Sequence, residues 1–278
     1  MLLGPVFRAE LVTTSRRRRY YAARLVYGLT LLLLVGWTYE AASRNLASIR
    51  QPGEPGFAFL ADMASHIFAA FLLAQVGAVL CLTPAMVAGT IADERQRKTL
   101  HDVLASRLSS FEIVVGKLAA RMLQLVVLVL TGLPIVAMLS LFGGLDPLLI
   151  LAAFAGTLTT AFAVAGVAIF VSAQMRRARD AILVTYLLEL ICLGAMPLLR
   201  AFFDPTSVAA MPWIGRVARA LEGLDPFQLA YLASPVPGLA TSLVRMAAFQ
   251  VIFGLLFVVL AVWRLRPASA DIDSRRSV

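Results

Sequence analysis

Long apolar stretches alternate with short charged segments along almost the whole chain. Charged side chains are nearly absent from six stretches, which are residues 25–42, 65–91, 118–141, 148–173, 181–199 and 243–263. A membrane-spanning helix needs about 20 mainly apolar residues, so each stretch is long enough to cross a bilayer. The pattern predicts an all-α integral membrane protein with six transmembrane helices, in one domain that covers residues 1–278.

The charged residues support this interpretation and predict an orientation. Hydrophobic residues form 60% of the chain and charged residues 15%, whereas roughly a quarter of a soluble domain is charged. The net charge of +9 comes from arginines and lysines concentrated in residues 8–24, 95–121, 176–179 and 264–276. The order of the spans places these segments on one side, and basic residues collect on the cytosolic side of membrane proteins. We therefore expect both termini in the cytosol, contacts with anionic lipids and no nucleic-acid partner.

The segments between and beside the spans carry further predictions. Residues 6–23 predict a basic amphipathic helix in the inner headgroup layer, and residues 264–278 predict a loose polar tail in the cytosol. Five prolines interrupt residues 200–241, so short outer helices are expected there before span six. Pro84 and Pro134 predict kinks in spans two and three. Small residues in span four predict that other helices approach it closely; they are Ala152, Gly156, Thr160 and Gly166.

The loop after span two is unusually rich in charge, yet it keeps a helical spacing of apolar residues. Leu100, Val103, Leu104 and Leu108 recur at intervals of three and four residues, which is typical of one face of an amphipathic helix. The pattern predicts a cytosolic helix over residues 93–108. The sequence Ser-x-x-Glu at residues 109–112 fits a capping box that begins the next helix.

The residue pattern gives little support for a catalytic site or a cofactor-binding site. Residues 115–117 (Val-Gly-Lys) resemble the end of a phosphate-binding loop, but Phe111 stands where that motif needs Gly and Leu118 where it needs Ser or Thr. The two histidines, His66 and His101, lie on opposite predicted sides of the membrane, and neither has a partner at metal-ligand spacing. We expect no enzymatic activity, no metal site and no cofactor in this chain.

The predicted spans contain a deeply placed carboxylate and two thiols. Glu189 is the acidic residue deep in span five, and an intramembrane carboxylate is a candidate functional site. Its alternative role is structural, with a hydrogen bond to a hydroxyl such as that of Thr185 one turn away. Cys81 and Cys192 are interpreted as small core residues and not as a disulfide.

From Glu94 onward the chain resembles the permease subunits of ABC transporters in the type-two exporter class. That family often shows Glu-Arg-x-x-Gly-Thr-Leu, then Leu-Leu, a Pro-Leu-Ser turn, and Ile-x-x-Gly-Lys entering span three. The corresponding segments here are residues 94–100 (ERQRKTL), 103–104 (VL), 107–109 (RLS) and 113–117 (IVVGK). Lys98 replaces the usual Gly and Arg107 the usual Pro. The resemblance extends to the lead-in helix, the six spans and the charged loop.

The resemblance implies that the chain forms the substrate pathway of an exporter in a bacterial inner membrane. A separate cytosolic ABC ATPase subunit would bind ATP and Mg²⁺, and a second permease copy would complete a homodimer or heterodimer. The coupling helix would contact the ATPase through Glu94, Arg95, Arg97, Thr99, Leu100, Val103 and Leu104. Charge reversal at Glu94 or Arg95 is expected to uncouple ATP hydrolysis from transport without unfolding the protein.

The same resemblance places the pathway beside spans one, two and five. Its candidate lining residues are Tyr39, Gln75, Thr185 and Glu189. Three alternatives stay open at this point. They are an ion-coupled secondary transporter that uses Glu189, a membrane enzyme, and a membrane scaffold that transports nothing.

Overall fold

The computed structural model describes residues 7, 18–49, 56–97, 109–141, 145–202, 225–227, 229 and 239–276. These residues are almost entirely helical. In chain order the helices are α1 (Arg18–Ile49), α2 (Gly56–Val87), α3 (Thr90–Gln96), α4 (Ser110–Leu130), α5 (Leu133–Ser140), α6 (Pro147–Gln174), α7 (Ala178–Phe202) and α8 (Leu239–Arg276). The prediction of an all-α fold is therefore confirmed for the described part of the chain.

Five helical segments in these ranges are long and apolar enough to cross a membrane. They are Tyr20–Arg44, Phe59–Gln96, Ser110–Ser140, Pro147–Gln174 and Thr241–Leu265. The chain is thus a multi-pass membrane protein. The stretch predicted as span five forms α7, which is a continuous helix but is not one of these five segments.

Helix α6 lies at the centre of the bundle. It packs most extensively against α8 and also contacts α2, α3, α4 and α7. Many of its residues are small, and its buried positions include six alanines together with Gly156 and Gly166. Helix α1 lies at the periphery against α2, and most of its large apolar side chains are exposed on the bundle surface.

The small residues of α6 allow close helix contacts, as the sequence predicts for span four. A Cβ atom added at Gly166 would lie 2.6 Å from the carbonyl oxygen and 2.9 Å from the Cα atom of Gly254 in α8. The two glycines therefore bring backbone against backbone, which is the usual role of small residues between membrane helices. At Gly156 an added Cβ would meet the side chain of Leu229 at 2.5 Å.

The two prolines predicted to kink spans two and three have different effects. Pro84 lies within the continuous helix α2, where the hydroxyl of Tyr186 in α7 donates a hydrogen bond to the nearby carbonyl of Cys81. Span three is interrupted at Thr131 and Gly132, whose amides bond three residues back at 3.0 Å. Pro134 lies in the first turn of α5, where a missing amide hydrogen costs little. The predicted kink is therefore a break between two helices.

Several helix ends differ from the predicted spans. Helix α1 continues to Ile49 and α8 to Arg276, so the segment predicted as a loose tail is helical to that residue. Polar flanks of a membrane helix can stay helical because water and side chains form hydrogen bonds with the terminal backbone groups. Most of the amphipathic lead-in (residues 6 and 8–17) and most of the segment predicted to form short outer helices (residues 203–224, 228 and 230–238) lie outside the described residues.

Candidate functional site

Helix α3 is short, but its contacts tie four helices together at one end of the bundle. The buried hydroxyl of Ser172 in α6 accepts hydrogen bonds from the amides of Ile91 (3.0 Å) and Ala92 (3.1 Å). These amides lie in the first turn of α3, which has no side-chain cap from Gly89. Ser172 therefore satisfies donors that a helix start otherwise leaves open.

The charged side chains of α3 make contacts with neighbouring elements. The carboxylate of Glu94 pairs with the ammonium of Lys117 in α4 at 2.5 Å, and the Lys117 side chain is only 4% exposed. The guanidinium of Arg95 donates to the carbonyls of Gln174 and Met175 at the end of α6, both at 3.3 Å. The side chain of Gln96 accepts a bond from the Ala178 amide at the start of α7 (3.4 Å). We call this set of contacts the α3 junction.

The α3 junction changes the expected effect of charge reversal at Glu94. Glu94 and Lys117 are the charged residues at the two ends of the family-like sequence pattern, and the structure pairs them with each other. Breaking a buried ion pair by changing one partner typically costs about 3–5 kcal/mol, because the other charge is left buried. The expectation that reversal at Glu94 leaves the fold intact therefore conflicts with this contact.

The remaining residues of the predicted coupling helix are only partly described. Arg97 is exposed and pairs with Asp93 of the same helix at 3.0 Å. Helix α3 begins at Thr90, three residues before the predicted start, and is described to Gln96. Thr99, Leu100, Val103 and Leu104 lie outside the described residues. The predicted capping box at Ser109 and Glu112 is confirmed, with both of its reciprocal hydrogen bonds present.

A second feature is a half-open cleft between α2, α6, α7 and α8. Its cavity volume is about 70 Å³, and the cleft is open on one side. Its walls are mainly apolar and include Leu80, Val164, Leu188 and Phe253. Four polar side chains lie among them, those of Thr160, Thr185, Glu189 and Gln250. We call this feature the Glu189 cleft.

Glu189 and Gln250 have polar atoms without hydrogen-bond partners in the described part of the chain. Both carboxylate oxygens of Glu189 are buried, and no described residue donates to them. The Thr185 hydroxyl, an expected partner, donates instead to the carbonyl of Ala181 at 2.7 Å. Gln250 is 1% exposed. Its oxygen accepts from the hydroxyls of Thr159 (2.9 Å) and Thr160 (3.2 Å), while its amide nitrogen has no described partner.

The structure brings together two of the four predicted pathway residues. Thr185 and Glu189 line the cleft. Gln75 is fully buried between α2 and α6, where it donates to Thr157 at 3.3 Å. Tyr39 in α1 is 46% exposed and is not part of the cleft lining.

Sequence reasoning missed Gln250 and misjudged the cysteines. Gln250 has a polar amide side chain within an otherwise apolar span. This difference in polarity could have marked it as a candidate site residue. Cys81 and Cys192 are free thiols on exposed positions, so their interpretation as core residues was wrong. Cys192 lines the Glu189 cleft. Within the described ranges no three His, Cys, Asp or Glu side chains are grouped as a metal site would require.

Known proteins offer no identification for this arrangement. A scan against protein-family models and a search of curated proteins both give no match. Function is therefore inferred from the geometry of the α3 junction and the Glu189 cleft.

Proposed function

We propose that this chain is the membrane permease subunit of an ATP-driven exporter. The observation that carries the proposal is the Glu189 cleft, in which buried polar atoms of Glu189 and Gln250 have no described partner inside a bundle of membrane helices. A structural protein gains nothing from such atoms, because an unsatisfied buried polar group costs about 1–3 kcal/mol. A site that binds cargo transiently has a reason to keep them.

In this proposal α7 acts as a sixth transmembrane helix, with both termini in the cytosol of a bacterial cell. A second copy of the chain, or a similar permease, completes the pathway within the lipid bilayer. A separate ABC ATPase subunit binds ATP and Mg²⁺ and contacts the cytosolic segment that begins with α3. The α3 junction supports this role, since a movement of α3 would act directly on α4, α6 and α7 through named contacts.

Site-directed crosslinking tests the ATPase contact. Cys81 and Cys192 are first replaced by alanine, and a cysteine is placed at Gln96, which is exposed at the end of α3. A matched control carries the cysteine at Glu40, which is exposed in the C-terminal half of α1. The proposed topology places this half of α1 at the opposite side of the membrane from Gln96. Tagged protein is crosslinked in native membranes and purified in nanodiscs.

The proposal expects a Walker-motif ATPase to be captured from position 96 and not from position 40. Folded, membrane-inserted protein that captures no ATPase from either position contradicts the ATP-driven mechanism. The same result also contradicts the proposal that a separate ATPase subunit binds this chain and supplies the nucleotide.

A second candidate function is ion-coupled secondary transport, and the unpartnered carboxylate of Glu189 favours it. Intramembrane carboxylates carry protons or cations in many transporters. This candidate predicts transport by the reconstituted chain in an imposed ion gradient without ATP, and loss of that transport in Glu189→Gln. A scaffold that transports nothing would show neither ATPase capture nor gradient-driven transport.

A further inference from the structure

We infer that the Glu189 cleft binds lipophilic organic cations, with the cationic centre beside the Glu189 carboxylate and the apolar body against the walls. The inference rests on the proposed transport function and adds the chemical class of the cargo. It follows from three properties of the cleft, which are its uncompensated acid, its apolar lining and its aromatic wall.

The first property is the charge. None of the described residues that line the cleft is cationic, and no described hydrogen-bond donor reaches either carboxylate oxygen of Glu189. A buried carboxylate without a partner is strongly disfavoured, and a cation placed next to it offsets that cost. An anionic cargo would increase the cost, so the cleft discriminates by the sign of the charge.

The second property is the lining. Apolar side chains such as Leu80, Val164, Val167 and Leu188 form most of the surface around Glu189. A small hydrated ion would lose its water shell here without gaining other ligands, because the described residues offer few oxygens. A bulky cation with apolar substituents is only weakly hydrated and gains contact with these walls.

The third property is the aromatic wall. Phe253 lines the cleft. The centroid of its ring lies 4.8 Å from the ring centroid of Phe257 and 6.4 Å from that of Phe249. Phe257 in turn contacts Phe170 of α6 at 5.3 Å. The Phe253 ring is thus held by its neighbours, and an aromatic face attracts cations as well as apolar groups.

The fixed amide of Gln250 is an independent sign of a ligand site. Its oxygen lies within hydrogen-bonding distance of two threonine hydroxyls, which are also placed to donate to the Gly156 carbonyl. Its nitrogen is buried without a described partner. This side chain is 1% exposed and lies in the cleft lining. A cargo with an acceptor atom would complete its hydrogen bonds.

The test measures binding of radiolabelled tetraphenylphosphonium to the full chain in nanodiscs, by scintillation proximity. Tetraphenylborate, which has nearly the same shape and the opposite charge, is the matched competitor. Specific binding is the part displaced by excess unlabelled cation, and empty nanodiscs report partitioning into lipid.

Saturable binding of the cation is expected, with no competition by tetraphenylborate beyond its effect on empty nanodiscs. Glu189→Gln should lower the affinity by roughly tenfold or more, which equals about 1.4 kcal/mol or more. Glu189→Asp keeps the charge and should retain most of the affinity, whereas Glu40→Gln removes an exposed carboxylate outside the cleft and should change nothing. Each variant must match the wild type in size-exclusion profile and helical signal.

Three results would overturn the inference. They are no saturable binding by the folded wild type, equal affinity of wild type and Glu189→Gln, and competition by tetraphenylborate as strong as that by the cation. Binding does not require an ATPase, so the outcomes separate from those of the crosslinking experiment. ATPase capture without cation binding rejects only the cargo class, and cation binding without ATPase capture rejects only the ATP-driven mechanism.

Discussion

The contact between Gly166 and Gly254 gives the most direct test of the packing described here. Substitution of Gly166 by alanine would place a Cβ atom 2.6 Å from the Gly254 carbonyl oxygen and 2.9 Å from its Cα atom. Both obstacles are backbone atoms, so no side-chain rotation relieves the clash, and α6 and α8 must move apart. Since α8 is the principal neighbour of α6, the displacement would spread along their shared surface.

The expected change in the free energy of unfolding of Gly166→Ala follows from two opposing effects. Overpacking a well-packed core by one methyl group costs typically about 1–3 kcal/mol, while replacing a helical glycine by alanine gains about 0.5–1 kcal/mol. Gly77→Ala is a matched control, because it lies in helix α2 and an added Cβ meets no atom within 4 Å. Both variants share the propensity gain, so the difference between them isolates the steric cost, which we expect to be about 1–3 kcal/mol.

The assay is reversible unfolding of the purified protein from mild detergent into increasing SDS, followed by circular dichroism. Gly166→Ala should unfold at lower SDS than the wild type, and Gly77→Ala at equal or higher SDS. Equal unfolding midpoints for the two alanine variants would refute the close contact of α6 and α8. A Gly254→Ala variant gives an independent check, since its Cβ would meet the ring of Phe162 at 2.8 Å.

Two further predictions concern polar contacts between helices, and both use the same unfolding assay. Glu94→Gln leaves the buried ammonium of Lys117 and should destabilise the protein by up to about 3–5 kcal/mol. Lys117→Met should cost less, because the Glu94 side chain is 24% exposed. The double variant should cost less than the sum of the two single variants, and additive losses would show that the pair does not interact. Tyr186→Phe removes the hydroxyl that bonds the Cys81 carbonyl and should cost about 0.5–1.5 kcal/mol. An unchanged midpoint would mean that this bond between α7 and α2 does not stabilise the fold.

The sequence was sufficient for those features that depend on local pattern. Apolar stretches of the right length predicted the long helices, and Ser109 with Glu112 predicted a helix start that the structure confirms. Small residues predicted close contact along α6, which the Gly166–Gly254 approach confirms. In each case a few neighbouring residues contain all the required information, because helix formation and capping act over three or four positions.

The sequence pattern does not predict features that depend on contacts between helices far apart in the sequence. Glu94 and Lys117 are 23 residues apart and pair across two helices, and no periodicity specifies that α3 turns back towards α4. Gln250 joins the cleft because α8 presents it to α6, where Thr159 and Thr160 hold its oxygen. Hydropathy alone cannot tell an outward face from an inward one in a helix that is apolar all round, and this is why Cys81 and Cys192 were misassigned.

Helix α7 is the element that joins the two candidate sites. Its first amide, that of Ala178, bonds the side chain of Gln96 in the α3 junction, and its middle turns carry Tyr186 and Glu189. The bond from Tyr186 to Cys81 ties the same helix to the proline-containing part of α2. A helix is stiff along its axis, so a shift of α7 at the junction would displace Glu189 relative to the cleft walls on α6 and α8. The proposed export function needs such a link, because energy received at one end must change the affinity for cargo within the bundle.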